Sequence, residues 1–317
     1  MDIVVVGGDS FEAEALLSAL AESELPLGEV HVLGVREDAA ARVDFGGRLL
    51  KPQPIAGFDF RRVEVALFVG DAPPDACSPD DAQRAGALAL DLSSGRWGGQ
   101  SHRTVMPGAV SAKDAPGGVL ALPSPGLAQV YSTARPFLAH AEGAVHGFLI
   151  EPVSRLGKSG VEHLARQTAR VLNLQPVENT LVPVQMAFNT LPVSQGDQGD
   201  RDQLDWRDLV AGNGPLLSMG RVMAPVFFGT TACVQMSLPR GLDMDEPYAG
   251  DRRIQLMQEG DPPLSPVGDA AGQDQLYVRV ERRARDDVSE LTVWSVADNL
   301  HWAIAANAVD VLTEILT

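Results

Sequence analysis

The sequence has 317 residues, 45% of them hydrophobic and 21% charged, the composition of a folded globular chain with room for about two domains. A formal net charge of −17 sets it against phosphate backbones and anionic lipid surfaces, so neither nucleic acid nor a membrane is an expected partner. Two cysteines, Cys77 and Cys233, make no disulfide framework, and no paired Cys/His spacing suggests zinc or another metal.

Met1 runs directly into strand-like residues without a basic flank or cleavage site, so no secretory signal is expected. No apolar run approaches the length of about 20 residues that spans a bilayer. The expected compartment is the cytoplasm.

Asp2–Gly7 is a continuous β-branched run, suited to a strand covered on both faces. A helical pattern follows over Ser10–Ala21, then strands over Glu29–Leu33 and Val63–Val69, a helix over Ser78–Ala85 and a strand over Ala87–Leu92. This alternation predicts a doubly wound α/β sheet. The first turn, Gly7-Gly8-Asp9-Ser10-Phe11-Glu12-Ala13, has Gly7 for tightness, with Gly8, Ser10 and Ala13 as further small positions. It is the outline of a dinucleotide-binding fingerprint. Asp9 and Glu12 sit where a pyrophosphate would rest. The turn is therefore either a weakened nucleotide site or a connection with its own acidic cap.

An apolar run, Gly118–Leu122, ends in Pro-Ser-Pro-Gly and gives way to a helical pattern over Leu127–Ala141. Ser124 suits an N-cap and Pro125 the first helical position. Beyond it the spacing predicts a strand over Val145–Val153, a basic turn over Arg155–Gly160 and a helix over Val161–Leu172 carrying a surface or hydrogen-bonded His163. Strands are predicted over Gln185–Pro192, Val222–Met236, Gln275–Glu281 and Glu290–Val296. Loops are predicted over Gln195–Gly214 and Pro262–Gly272. Asp298–Leu316 is a closing amphipathic helix.

Several stretches in order then resemble the aspartate-semialdehyde dehydrogenase family: Leu90–Trp97 (LDLSSGRW), Pro123–Leu138 (PSPGLAQVYSTARPFL), Ala187–Pro192 (AFNTLP) and Ser295–Leu312. The segments FGG at Phe45–Gly47, FVGD at Phe68–Asp71, APVFFG at Ala224–Gly229 and VWSVADN at Val293–Asn299 resemble its Usg-type paralogues. The resemblance implies a Rossmann-like parallel-sheet domain over residues 1–124, joined by the closing helix 298–317. It also implies an α+β mixed-sheet dimerisation domain over 125–297, and a homodimer.

In the family a thiolate attacks the aldehyde, a histidine moves protons, an arginine clamps the substrate carboxylate and NADP takes the hydride. Here the motifs put Pro125 in the cysteine's place, Glu151 in that of a glutamine, Met223 in that of the arginine and Thr230 in that of the histidine. None of the four supplies the chemistry. Arg221 is a displaced clamp and Ser124 a replacement nucleophile only as lesser readings. Ser93, Ser94 and Asn299 match cofactor-proximal positions, and Arg36 lies within a residue of the family's 2′-phosphate contact. The same serines also suit a hydrogen-bonded strand end, and Asn299 suits an N-cap beside Asp298. The expected protein is a paralogue without dehydrogenase activity, with a structural, regulatory or binding role and weak or absent NADP binding. The alternative is an NADP-dependent oxidoreductase acting on another aldehyde or oxo substrate by hydride transfer without a thioester.

Overall fold

The computed structural model describes residues 1–34, 42–73, 77–98, 102–114, 118–194, 196–242, 247–285 and 288–316. The chain divides into two compact units, Met1–Pro125 with Ile304–Thr317, and Gly126–Ala303.

The first unit is built on β1 (Ile3–Val6), β2 (Val30–Gly34), a small hairpin of β3 (Val43–Phe45) and β4 (Arg48–Leu50), β5 (Gln53–Pro54), β6 (Val65–Phe68), β7 (Leu88–Asp91), β8 (His102–Thr104) and β9 (Val119–Ala121). Apart from the hairpin, these strands form one seven-stranded sheet in the order β5-β2-β1-β6-β7-β9-β8, and every pairing within it is parallel. All four residues of β1 are fully buried, as an uninterrupted β-branched run requires in a sheet covered on both faces. Helices α1 (Phe11–Glu22) and α2 (Pro79–Arg84) connect strands. Val4, Val6, Leu33, Phe60, Ala66, Phe68 and Trp97 share one core, each large member contributing about 1.5–3 kcal/mol by leaving water. The strand order reverses between β1 and β6, which makes the crevice over their carboxyl ends the switch point of the doubly wound sheet.

The second unit carries α3 (Pro125–Ala134), which continues as a 3-10 turn, Arg135–His140, where Pro136 removes an N–H from the ladder. It then contains β10 (Glu142–Glu151), α4 (Gly157–Leu172), β11 (Leu191–Pro192), α5 (Gly196–Leu209), β12 (Leu217–Met223), β13 (Thr230–Pro239), β14 (Ile254–Leu256), β15 (Leu276–Arg285) and β16 (Val288–Ala297). Its mixed sheet runs β11-β12-β10-β13-β16-β15-β14. Register partners place Gly220, Phe148, Cys233, Trp294 and Arg279 in one row across it. Phe148 is 44% exposed, whereas its strand neighbour Leu149 points to the opposite, buried face. A π-helical segment, His301–Ala306, leads into α6 (Asn307–Leu316).

Four sequence expectations are corrected. Gln195–Gly214 is not a loop: residue 195 lies outside the described residues, and Gly196–Leu209 is α5, with Asp202, Asp205, Trp206 and Leu209 buried along one stripe. Its polar composition hid a helix whose inward face is partly carboxylate. The turn Arg155–Gly160 is helical from Gly157, because Gly160 lets the helix approach Val153, whose carbonyl oxygen would lie 2.4 Å from an added Cβ. Val222–Met236 is two strands, β12 and β13, separated by Ala224–Gly229. Gln185–Pro192 is strand only at β11. Met186 and Ala187 are buried in a core with Val153 and Leu164, and Phe188 takes a φ of 58° that breaks the extended chain.

Gly7 has φ +99°, and a Cβ there would lie 2.1 Å from the Val69 carbonyl oxygen. Gly7→Ala is expected to lower stability by about 2–4 kcal/mol, the sum of left-handed strain and a backbone clash. Gly47→Ala, with φ +82° but open space around it, is expected to cost about 1 kcal/mol. Urea midpoints of the two variants check the order, and equal midpoints would refute the close-approach assignment.

Candidate functional site

In the first unit the turn after β1 satisfies itself. The Ser10 hydroxyl donates to the Gly7 carbonyl (2.9 Å) and accepts the N–H of Ala13 (3.1 Å), capping α1. Gly8 packs against Val32, whose Cγ1 would lie 2.2 Å from an added Cβ. Glu12 is buried, and its carboxylate accepts a bond from Arg96 (3.1 Å). After β7, the Asp91 carboxylate accepts the Ser93 N–H (2.8 Å), the Ser93 hydroxyl (2.5 Å) and the Gly95 N–H (3.1 Å). The Ser93 hydroxyl also accepts the Trp97 N–H (3.3 Å), and Ser93 is fully buried. Its hydrogen-bonding capacity is committed to the turn. Ser94 adopts φ 59°, the left-handed conformation that closes that turn. Arg36 lies outside the described residues.

In the second unit several of the family-matched positions meet. α3 begins at Pro125, and the ring nitrogen there carries no N–H and the side chain no nucleophile. At Gly126 an added Cβ would lie 2.5 Å from Leu149 Cδ1 and 3.4 Å from Glu151 Oε1, so the helix start rests directly on β10. Glu151 Oε1 accepts a bond from Arg221 (3.2 Å), and its Oε2 lies 3.1 Å from Arg155 Nε. The other terminal nitrogen of Arg221 pairs with Asp202 of α5. Side chains of Arg221, Glu151 and Asp202 are 3%, 8% and 0% exposed, so this is a charge network closed off from water. Burial pushes the Arg221 guanidinium below its ordinary range, and the carboxylate of Glu151 partly restores it.

Glu151 does not stand as an uncompensated negative charge: two arginines neutralise it. Arg221 does not present an open guanidinium either, since two carboxylates of the chain occupy it. Met223, register partner of Glu151, is buried in the core with Val153, Leu164, Met186 and Ala187. Thr230 starts β13, and its neighbour Thr231 pairs with Ile150. The Thr230 carbonyl accepts from the buried Gln129 amide (3.3 Å), which also donates to the Ser295 carbonyl (3.1 Å). Asn299 is buried, its Oδ1 near the Gly229 N–H (3.4 Å) and its Nδ2 donating to Ser154 Oγ (3.2 Å). The cap is Asp298, which accepts the N–H groups of Leu300 (2.7 Å), His301 (2.8 Å) and Gly272 (2.7 Å). Burial alone would raise the Asp298 carboxyl, but the bonds from His301, Gly272 and Leu300 outweigh it and hold it below the usual range.

His163 on α4 is buried and lies 3.0 Å from the Gln167 amide. Burial, with Arg166 adding to it, lowers its pKa and keeps the ring neutral. Gln167 in turn accepts the N–H groups of Met186 (2.8 Å) and Ala187 (3.1 Å). Residues that the sequence did not single out, Asp202, Gln129, Arg155 and Arg96, complete these networks. Of these, only Asp202 left a signal, through its helical spacing to Asp205, Trp206 and Leu209. Among the described residues no group of three His, Cys, Asp or Glu side chains is placed to hold a metal ion, and no helix is long and apolar enough to cross a membrane.

Comparison with known proteins gives a consistent set. The model of the semialdehyde dehydrogenase dimerisation domain matches residues 147–302. A USG-1 protein homolog of Azotobacter vinelandii is 32% identical, covering 100% of this chain and 97% of the relative. Aspartate-semialdehyde dehydrogenase 2 of Vibrio cholerae is 27% identical over 98% of this chain and 96% of its own. A solved structure described as a probable aspartate-semialdehyde dehydrogenase from Pseudomonas aeruginosa superposes with a TM-score of 0.90 at 30% identity, covering 100% of this chain and 98% of that one.

Removing Arg221 leaves two buried carboxylates without their cation. Arg221→Ala is expected to lose about 3–5 kcal/mol of stability, read from chemical unfolding. A loss below about 1 kcal/mol would contradict the network's burial. His163 gives a pH signature: its proton is taken up near the model value of 6.5 in the unfolded chain but only at lower pH in the fold. Stability from this residue is therefore complete above about pH 6.5 and declines as the pH falls through the depressed native pKa. In His163→Gln that part of the acid sensitivity disappears from the unfolding free energy measured against pH.

Proposed function

The chain belongs to the aspartate-semialdehyde dehydrogenase family, alongside its USG-1 homologues, and we propose that it is a paralogue that retains the fold without the family's thioester chemistry. Its role on this reading is structural, regulatory or ligand-binding, in the cytoplasm. The observation that carries it is the fate of the second unit's reactive positions. Pro125 begins a helix, Met223 is core, and the nearby guanidinium of Arg221 is held by Glu151 and Asp202. A covalent aldehyde oxidation needs a nucleophile, a proton carrier and an open anion clamp. Pro125, Thr230 and the occupied Arg221 provide none of them. Ser124 as a substitute nucleophile finds no support in a base identified near it.

NADP binding is proposed to be weak. The hydroxyls of Ser10 and Ser93 are engaged by their own turns, and the Asn299 amide is engaged by Ser154 and Gly229. A homodimer is proposed through the mixed sheet. Its exposed row contains Phe148, 44% exposed, with Cys233 and Trp294 as register neighbours, and this sheet lies within the matched dimerisation domain.

With NADP, inorganic phosphate and aspartate semialdehyde, the purified protein is expected to give no NADPH absorbance above a no-enzyme control. Turnover at ordinary dehydrogenase rates, about 1–1000 per second, would overturn the proposal. The alternative hydride transfer on another aldehyde is read by the same absorbance with an aldehyde panel. Sedimentation is expected to give a dimer that Phe148→Asp converts to monomer, since a carboxylate would be buried unpaired at the contact. A wild-type monomer at micromolar concentration would remove the interface.

A further inference from the structure

The switch-point crevice of the first unit contains a cation that none of the preceding assignments uses. Arg96 follows β7, and three contacts fix its planar fork. Its Nε donates to the Ser93 carbonyl (2.8 Å), one terminal nitrogen donates to Glu12 Oε1 (3.1 Å), and the other lies 3.2 Å from Asp71 Oδ1. These partners come from the turn after β7, the first turn of α1 and the segment just after β6. All of them stand at the carboxyl ends of parallel strands around the point where strand order reverses.

The three contacts are not equivalent. The Glu12 side chain is 9% exposed and Arg96 36%, so that pair is partly shielded and holds the guanidinium in orientation. The Asp71 side chain is 80% exposed, and an ion pair with so solvated a carboxylate is worth little. Two edges of the fork are thus anchored, while the third faces a weakly held, exchangeable anion. A guanidinium held this way is pre-organised for an incoming oxyanion, because little side-chain entropy remains to be lost.

We propose that Arg96 is an anion receptor for a phosphate-bearing ligand in this crevice and that Asp71 is its built-in competitor. The phosphate takes the place of the Asp71 carboxylate on the outer edge of the fork, while Glu12 and the Ser93 carbonyl keep the other edges in place. Asp71 sets the affinity: at rest it occupies the receptor, and only a ligand of higher charge density displaces it. This assignment is independent of whether the second unit carries any dehydrogenase chemistry.

The test is calorimetric titration at low salt with two probes, inorganic pyrophosphate and ADP, on the full-length protein. Asp71→Asn is expected to bind pyrophosphate about tenfold more tightly than wild type, equivalent to about 1.4 kcal/mol. Arg96→Ala is expected to bind at least tenfold more weakly. The double variant is expected to be no better than Arg96→Ala, because the gain acts through Arg96. Tighter ADP than pyrophosphate in wild type and Asp71→Asn assigns a nucleotide; the reverse order assigns a small phosphate compound, and either supports the receptor. Three results overturn it: unchanged affinity in Arg96→Ala, a gain from Asp71→Asn that persists without Arg96, or no binding heat in any variant. Thermal melts of each variant show that the comparison is made between folded proteins. Asp71, being exposed, is expected to leave the melting temperature unchanged.

Discussion

The second unit is organised around one buried guanidinium. Arg221 on β12 is held by Glu151 on β10 and by Asp202 on α5, so two strands and a helix meet at a single charge. Bringing such a group out of water is costly, and the fold bears that cost only because carboxylates are placed at both terminal nitrogens. That requirement explains why α5, a helix of predominantly polar residues, has a defined seat. Asp202 and Asp205 are buried beside Trp206 and Leu209, and the Trp206 ring N–H donates to the Pro215 carbonyl (2.8 Å). Removing the cation strands its partners; removing a carboxylate strands the cation.

The same pattern, polar groups answered from within the chain, recurs wherever relatives suggest a ligand. Glu151 faces arginines. Asn299 faces Ser154 and Gly229, and Gln129 bridges α3 to Thr230 and Ser295. Ser93 faces Asp91 and Trp97. Buried polar groups must find partners, and in this protein they find them at home. Arg96 differs in one respect, because one of its partners is a carboxylate largely in water.

Elements whose periodicity is apolar were legible in the sequence. The run Ile3–Val6 gave a fully buried strand, Ser10 capped α1, and α3 began at the proline where the sequence places a helix start. α4 was legible where Leu164 recurs with His163 and Gln167 on one face, but its first turn was not, since glycine and lysine carry no periodic signal. α5 was missed because hydrophobic spacing is the usual marker of an inward face, and here that face includes two aspartates. Gln185–Pro192 read as a strand because its apolar residues alternate, yet Phe188 takes a left-handed conformation and the core takes Met186 and Ala187 instead.

The sequence by itself determined the two-part architecture, the parallel sheet and the replacement of the family's nucleophile, amide, clamp and proton carrier at Pro125, Glu151, Met223 and Thr230. Those follow from local chemistry: strand and helix periodicity, turn residues, and which atoms a side chain possesses. Only the tertiary structure decided what the replacements do. Arg221 and Asp202 are 19 residues apart and Arg221 and Glu151 are 70 apart, Arg96 and Glu12 are 84 apart, and no local pattern encodes such pairings. Whether a charge is exposed, neutralised or held ready for a ligand depends on what the fold brings within about 3 Å of it, and that is set by packing across the sheet rather than along the chain.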